Sequence, residues 1–256
     1  MIKTDIRDGV GYLTLARAEK KNAFNGDMLQ SIDAFIHAAA QNPSVRVIVL
    51  GAEGETFCAG ADLAWMAQFA DASRDDNIAN ARALGAVFHH IAQSPKPVIG
   101  RIQGAARGGG VGLAAAVDIA IASEHASFAL TEVRLGLLPG VISPFVVERV
   151  GPSRARALFM TGAPVDAQEA WRIGMVHHVV AAADLDNKVA EIAGQLIQGG
   201  PDALLACKQL VDTVAFRPHA EVFGQTAELI ADRRVSPEAQ EGMMAFLTKR
   251  KANWIP

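Results

Sequence analysis

The hydrophobic positions change period several times along the chain. Over residues 1–17, short apolar stretches flank "RDGVG", which predicts two short strands joined by a turn. In "MLQSIDAFIHAAA", Met28, Leu29, Ile32, Phe35, Ile36 and Ala39 fall on one helical face. "VRVIVLGA" is a nearly unbroken apolar run, the pattern of a parallel strand buried on both faces. A helix over 74–94 is carried by Ile78, Leu84, Val87, Phe88 and Ile91. "KPVIGRIQG" and "VDIAIAS" are further strands, separated by a glycine cluster and room for about two helical turns. From about residue 142 the pattern is helical, with one short strand near "GMVHHVV". Residues 201–248 are helical throughout, with Pro201, Pro218 and Pro237 as starts. Strands alternating with helices predict an α/β fold around a parallel sheet. The composition shift at "QGGP" divides it into a core domain, 1–198, and a helical C-terminal domain, 199–256.

Composition narrows the function classes. Half of the 256 residues are hydrophobic and a fifth are charged, enough for a sizeable core. The net charge is -3 and the densest basic spot is "KRK" at 249–251, so no nucleic-acid partner is expected. Two cysteines, Cys58 and Cys207, make no disulfide framework and imply a reducing compartment. No apolar run approaches the ~20 residues of a membrane span, and the start resembles neither signal nor transit peptide. A cytoplasmic protein without a membrane partner is the expectation.

The chemistry centres on "GAARGGGVGLAAAVD", residues 104–118, with Gly108, Gly109, Gly110 and Gly112 close together. Gly110, Gly112 and Ala115 satisfy a loose dinucleotide fingerprint. The next strand begins too soon for a full crossover helix, however, and such a fingerprint normally sits near a first strand, not at position 108. Helix–sheet packing accounts for one or two glycines, but each costs a helix ~1 kcal/mol. The remaining reading is a helix N-terminus offering bare N–H groups to an oxygen that gains negative charge, half of an oxyanion hole. "ETFCAGADLAWM", residues 55–66, is the candidate for the second donor; it follows a buried strand and opens a short helix near Asp62.

Together, "KKNAFNGDML", "FCAGADL", "GAARGGGVGLAAAVDIAIAS", "FALTEVRLGLLPG" and "EGMMAFLTKRKANW" resemble the enoyl-CoA hydratase/isomerase (crotonase) family over essentially the whole chain. The resemblance implies a crotonase-like spiral of ββα units with a C-terminal helical trimerisation region, and a homotrimer or hexamer. It implies an acyl-CoA substrate, with no cofactor beyond the coenzyme A carried as thioester. By position, the oxyanion donors are Ala61 and Gly109. Lys21, Ala23 and Ala59 lie toward the CoA nucleotide, and Phe246 and Lys249 toward a neighbouring subunit's CoA. Ala59, Asp62, Leu63, Trp65 and Gly112 make up the expected substrate-binding set; Trp65 and Met66 either line the acyl pocket or pack in the core.

The family's hydratases often carry two glutamates. Here one position is Gly112, which is expected to leave open volume beside the substrate. The other is Glu132, the expected catalytic residue, on an apolar strand where burial raises its pKa. Its alternative role is a structural ion pair with Arg134 or another base. One carboxylate suffices for a double-bond isomerase and also for a hydratase that relays through bound water. The pattern is most similar to the bacterial branch acting on 3-methylglutaconyl-CoA, implying an enoyl-CoA hydratase with a branched or glutaconyl substrate. An isomerase is the alternative, ahead of a non-catalytic CoA- or RNA-binding member. Arg107 either pairs a substrate carboxylate or faces solvent. His89, His90, His177 and His178 come in pairs without ligand spacing, so no metal is expected. Cys58 lacks a base and reads as a small core residue.

Overall fold

The structure, a computed structural model, describes residues 1–255. β1 (Ile2–Arg7) and β2 (Val10–Leu15) form the expected hairpin, with Ile2 opposite Leu15 and Arg7 opposite Val10. α1 (Gly26–Gln41) is capped by Asn25, whose side chain accepts from the Met28 N–H, and it buries Met28, Leu29, Ile32, Ile36 and Ala39. The chain then repeats one plan three times. β3 (Val47–Ala52) and β4 (Thr56–Cys58) lead to α2 (Leu63–Ala67) and α3 (Arg74–Ala92). β5 (Val98–Ile102) and β6 (Ala105–Arg107) lead to α4 (Gly109–Ala116). β7 (Ile119–Ser123) and β8 (Ser127–Ala129) lead to α5 (Ser143–Thr161). The core closes with β9 (Val165–Asp166), α6 (Ala167–Arg172), β10 (His178–Val180) and α7 (Leu185–Gln198).

The first strand of each repeat joins one sheet and the second joins another. The six-stranded sheet runs β1-β2-β3-β5-β7-β10, and the four-stranded sheet runs β4-β6-β8-β9. Beyond the hairpin every pairing in the larger sheet is parallel. This is the ββα spiral. Hydrophobic pattern alone shows only the first strand of each repeat, because β4, β6 and β8 have three residues each. "KPVIGRIQG", expected as one strand, breaks after Ile102. The chain turns there at Gly104, where a Cβ would strike the Glu55 carbonyl oxygen.

All six residues of β3 are buried, as a strand covered on both faces requires. Ile48, Leu50 and Ala52 join the main core with the buried faces of α1, α3 and α4. Val47 and Val49 point to the opposite face, against Leu185, Val189, Ile192, Ala193 and Ile197 of α7. Burying each valine, leucine or isoleucine side chain among these contributes about 1.5–3 kcal/mol.

The C-terminal helices are α8 (Pro201–Val214), α9 (His219–Val235) and α10 (Pro237–Leu247). Pro201 and Pro237 open their helices, and Pro218 caps the third. Polar ties hold this layer to the spiral. Lys208 pairs with Asp118 at 2.9 Å, and Arg46 donates to the carbonyls of Gly199 (2.7 Å) and Trp254 (2.6 Å). Asp118, the acid that ends the alanine-rich run, is therefore a docking group; it also accepts the Val98 N–H at 2.7 Å. Among the described residues no helix is long and apolar enough to cross a membrane.

Candidate active site

Residues 59–62 run beside residues 21–24. The Ala59 N–H donates to the Lys21 carbonyl (2.9 Å), the Phe24 N–H to Gly60 (2.9 Å) and the Asp62 N–H to Phe24 (2.8 Å). The Gly60 N–H donates to the Cys58 sulfur at 3.4 Å. The N–H groups on both sides of Ala61 are thus engaged, while its own has no acceptor among the described residues. Gly109 opens α4, so its N–H has no intrahelical partner, whereas that of Gly108 bonds Ala129 at 2.9 Å.

Glycine lets these two loops meet. Gly60 takes φ +91, and a Cβ there would stand 2.8 Å from the Arg107 carbonyl oxygen and 3.4 Å from the Gly109 nitrogen. A Cβ on Gly109 would strike the Phe24 ring, and one on Gly110 the Cys58 carbonyl. The glycine cluster therefore serves close packing and donor presentation together. Ala61 and Gly109 face a single cavity of about 600 Å³, which Glu132 also lines.

Glu132 does not lie on the expected strand. β8 ends at Ala129, and Glu132 begins a 3-10 turn, Glu132–Leu135. The sequence reading failed there because a short apolar run does not separate strand from tight helix. The expected alternative, an ion pair with Arg134 or another base, is absent among the described residues. Glu132 Oε2 is buried without a hydrogen-bond partner among the described residues, and Oε1 lies 3.2 Å from where a Gly108 Cβ would stand. Burial pushes the carboxyl above the usual glutamate range; a bond from its own backbone N–H pulls it back less.

The expected substrate-binding set divides. Ala59 and Leu63 line the cavity, and so does Met66. Asp62 does not: it caps α2 by accepting the Ala64 N–H at 2.9 Å and pairs with Arg17 at 2.8 Å, which holds its carboxyl below the usual range. Trp65 is also outside, its ring edge-on to Phe69 and against Gly26. Gly112 is buried, and the volume its side chain would occupy is already filled. A Cβ there would strike Ile142 Cγ2 and stand 3.1 Å from Phe88. The expected opening beside the substrate does not exist.

Neither expectation for Arg107 holds. Its guanidinium donates to the carbonyl of Ser127 (2.8 Å) and to its hydroxyl (2.9 Å), pinning β6 to β8, and it is absent from the cavity wall. Lys21 and Ala23 lie on the strip paired with Ala59, outside the cavity lining. Phe246 and Lys249 are exposed on the C-terminal layer, and the single chain does not bring them to the cavity. Cys58 is fully buried with its thiol pushed up to about 12 by burial, as a core residue should be.

The opposite wall, Leu135, Leu137, Leu138, Val141 and Ile142, has no counterpart in the sequence reading, although "LGLLPG" belongs to a recognised motif. Arg134 also lines the cavity and has no acid within ion-pair reach among the described residues. Asn22 was missed as well. It is wholly buried at φ +54, donates to the carbonyls of Glu53 and Thr56 (2.8 Å each) and accepts the Arg17 N–H at 2.9 Å. The available signal was its type: asparagine tolerates the left-handed region and carries both donors and acceptors.

The whole arrangement has close relatives. A solved Legionella pneumophila protein assigned as an enoyl-CoA hydratase/isomerase (crotonase) is 44% identical, with a TM-score of 0.93 over 99% of this chain and 98% of that one. An enoyl-CoA hydratase from Shewanella pealeana is 36% identical, with a TM-score of 0.95 over 99% and 95%. The crotonyl-CoA hydratase of Syntrophomonas wolfei is 34% identical over 96% of this chain and 94% of its own. The family model for enoyl-CoA hydratase/isomerase matches residues 5–255, and the chain belongs to that family.

Proposed function

We propose that the protein is an enoyl-CoA hydratase, adding water across the 2,3 double bond of a coenzyme A thioester. The observation that carries this is one cavity holding two unengaged backbone N–H groups, of Ala61 and Gly109, and one buried carboxyl, Glu132. The thioester oxygen accepts from both N–H groups. Glu132 takes a proton from a water that attacks the β carbon. The resulting enolate keeps its charge on the oxygen, and Glu132 returns the proton to the α carbon. Each such donor contributes about 3–4 kcal/mol to the transition state. No cofactor beyond the coenzyme A of the substrate is required.

The glutaconyl-type substrate suggested by the sequence finds its support at Arg134. Among the described residues it is the only cationic side chain on the cavity wall, and a guanidinium fork suits a carboxylate. An isomerase is favoured by one observation: Ile142 fills the place of a second acid, and a 1,3-proton shift needs only one carboxyl. A panel of straight, branched and carboxylated enoyl-CoA thioesters in ¹⁸O-water separates the two. Labelled 3-hydroxyacyl-CoA is the expected product; shifted double bonds without label would replace the hydratase with the isomerase.

A further inference from the structure

We infer that Asp33, His37 and His90 form a binding site for a divalent transition-metal ion, outside the thioester cavity. Asp33 and His37 lie one turn apart on α1, and His90 comes from α3 across the helix contact. His90 Nδ1 is 2.7 Å from Asp33 Oδ1, and His37 Nδ1 is 3.6 Å from the same oxygen. The two imidazoles stand edge to face with centroids 4.6 Å apart. One ligand atom from each residue falls within 4.8 Å of the others.

Two imidazoles with one carboxylate suit zinc, nickel or copper and not magnesium or calcium, which prefer all-oxygen sites. Around a tetrahedral ion with bonds of about 2.0–2.2 Å, neighbouring ligand atoms sit roughly 3.4 Å apart. To reach that spacing His90 Nδ1 and Asp33 Oδ1, now 2.7 Å apart, need to part by roughly 0.7 Å, His37 Nδ1 at 3.6 Å is already close to it, and the two imidazole nitrogens close from within 4.8 Å; the side chains have the freedom to do so, being 31–54% exposed. Their backbones are firmly held, because Ile32, Ile36, Phe88 and Ile91 beside them are all in the core. The exposed side of the cluster leaves the remaining coordination position to water. Sequence reading missed it because the third ligand is 57 residues from Asp33. An ion here ties α3 to α1 two residues beyond Phe88, which lines the thioester cavity.

The test uses untagged, chelator-treated protein titrated calorimetrically with zinc chloride and, separately, nickel chloride. One equivalent should bind saturably, and saturating zinc should raise the melting temperature. His37→Ala/His90→Ala should weaken binding by about tenfold or more and abolish the zinc-dependent shift. Its metal-free melting curve, compared with that of the parent, checks that it is folded. His89→Ala, whose exposed ring is 6.1 Å from that of His90, should bind as the parent does. No saturable binding up to millimolar metal, or undiminished binding in the folded double variant, would overturn the assignment.

Discussion

Glu132 combines an energetic cost with a chemical use. Its Oε2 is buried without a partner among the described residues, so the charged form is poorly solvated, and proton transfer draws on the raised pKa that follows. Glu132→Gln keeps the shape and removes the base. Turnover should fall by about 10²–10⁴ while acyl-CoA binding persists, as measured by kinetics and by calorimetry with a substrate analogue. The same shift sets a dependence of stability on pH. The folded protein holds its proton to higher pH than the unfolded chain, so this group's contribution is fully present below about pH 4.5 and is lost as pH rises through the folded pKa. Melting curves of Glu132→Gln should therefore lie progressively above those of the parent as pH rises through that window. Equal differences at all pH values would mean that ionisation is not the cause. Asn22 is the opposite case, a polar residue held for structure. Asn22→Ala leaves the carbonyls of Glu53 and Thr56 and the N–H of Arg17 without it, at about 2–4 kcal/mol of stability in denaturant melts.

Among the elements, α4 supplies the Gly109 donor, and its fit to the residues before α5 limits what else it can carry. Ile142 fills the notch at Gly112. Gly112→Glu therefore adds bulk and a charge where there is room for neither. It should cost about 3 kcal/mol or more, visible as a lower melting temperature or loss of soluble protein. Adding Ile142→Ala should recover part of the loss; if the single variant melts like the parent, the notch is not filled in solution. The sequence favours the opposite outcome, since glutamate is the better helix former, and that contrast shows where sequence stops being informative. Long periodic elements such as α1 and β3 were legible because one face or both are buried along their length. The donor loop and the glycine cluster were legible through their motifs. β4, β6, β8 and the turn at Glu132 are too short for a period to register. Ile142 in the notch, Arg107 on Ser127 and His90 on Asp33 are contacts between residues 20 to 57 apart, and no local pattern encodes them.

At the scale of the whole molecule, the C-terminal layer does not cover its own apolar surface. Phe216 is 95% exposed, Phe246 83%, Val235 75%, Phe223 73% and Ile230 57%. A soluble monomer rarely leaves so many large apolar side chains bare on one layer, and association through a cyclic interface is the usual remedy. The spiral does not supply the cover, since α8 has no fully buried residue and is held largely by Lys208 and the contacts around Arg46. Light scattering should therefore find three or six times the 27.0 kDa chain mass. Phe223→Lys/Ile230→Lys places charge on the middle of α9 and should shift the mass toward the single chain without unfolding it, because both side chains are already exposed. The resemblance that sends Phe246 and Lys249 toward a neighbour's coenzyme A adds a second readout. If assembly completes the thioester site, the dissociated variant should show a raised KM while Glu132, Ala61 and Gly109, all within one chain, keep kcat nearer the parent value. A parent protein that is monodisperse and monomeric at micromolar concentration would remove both expectations together.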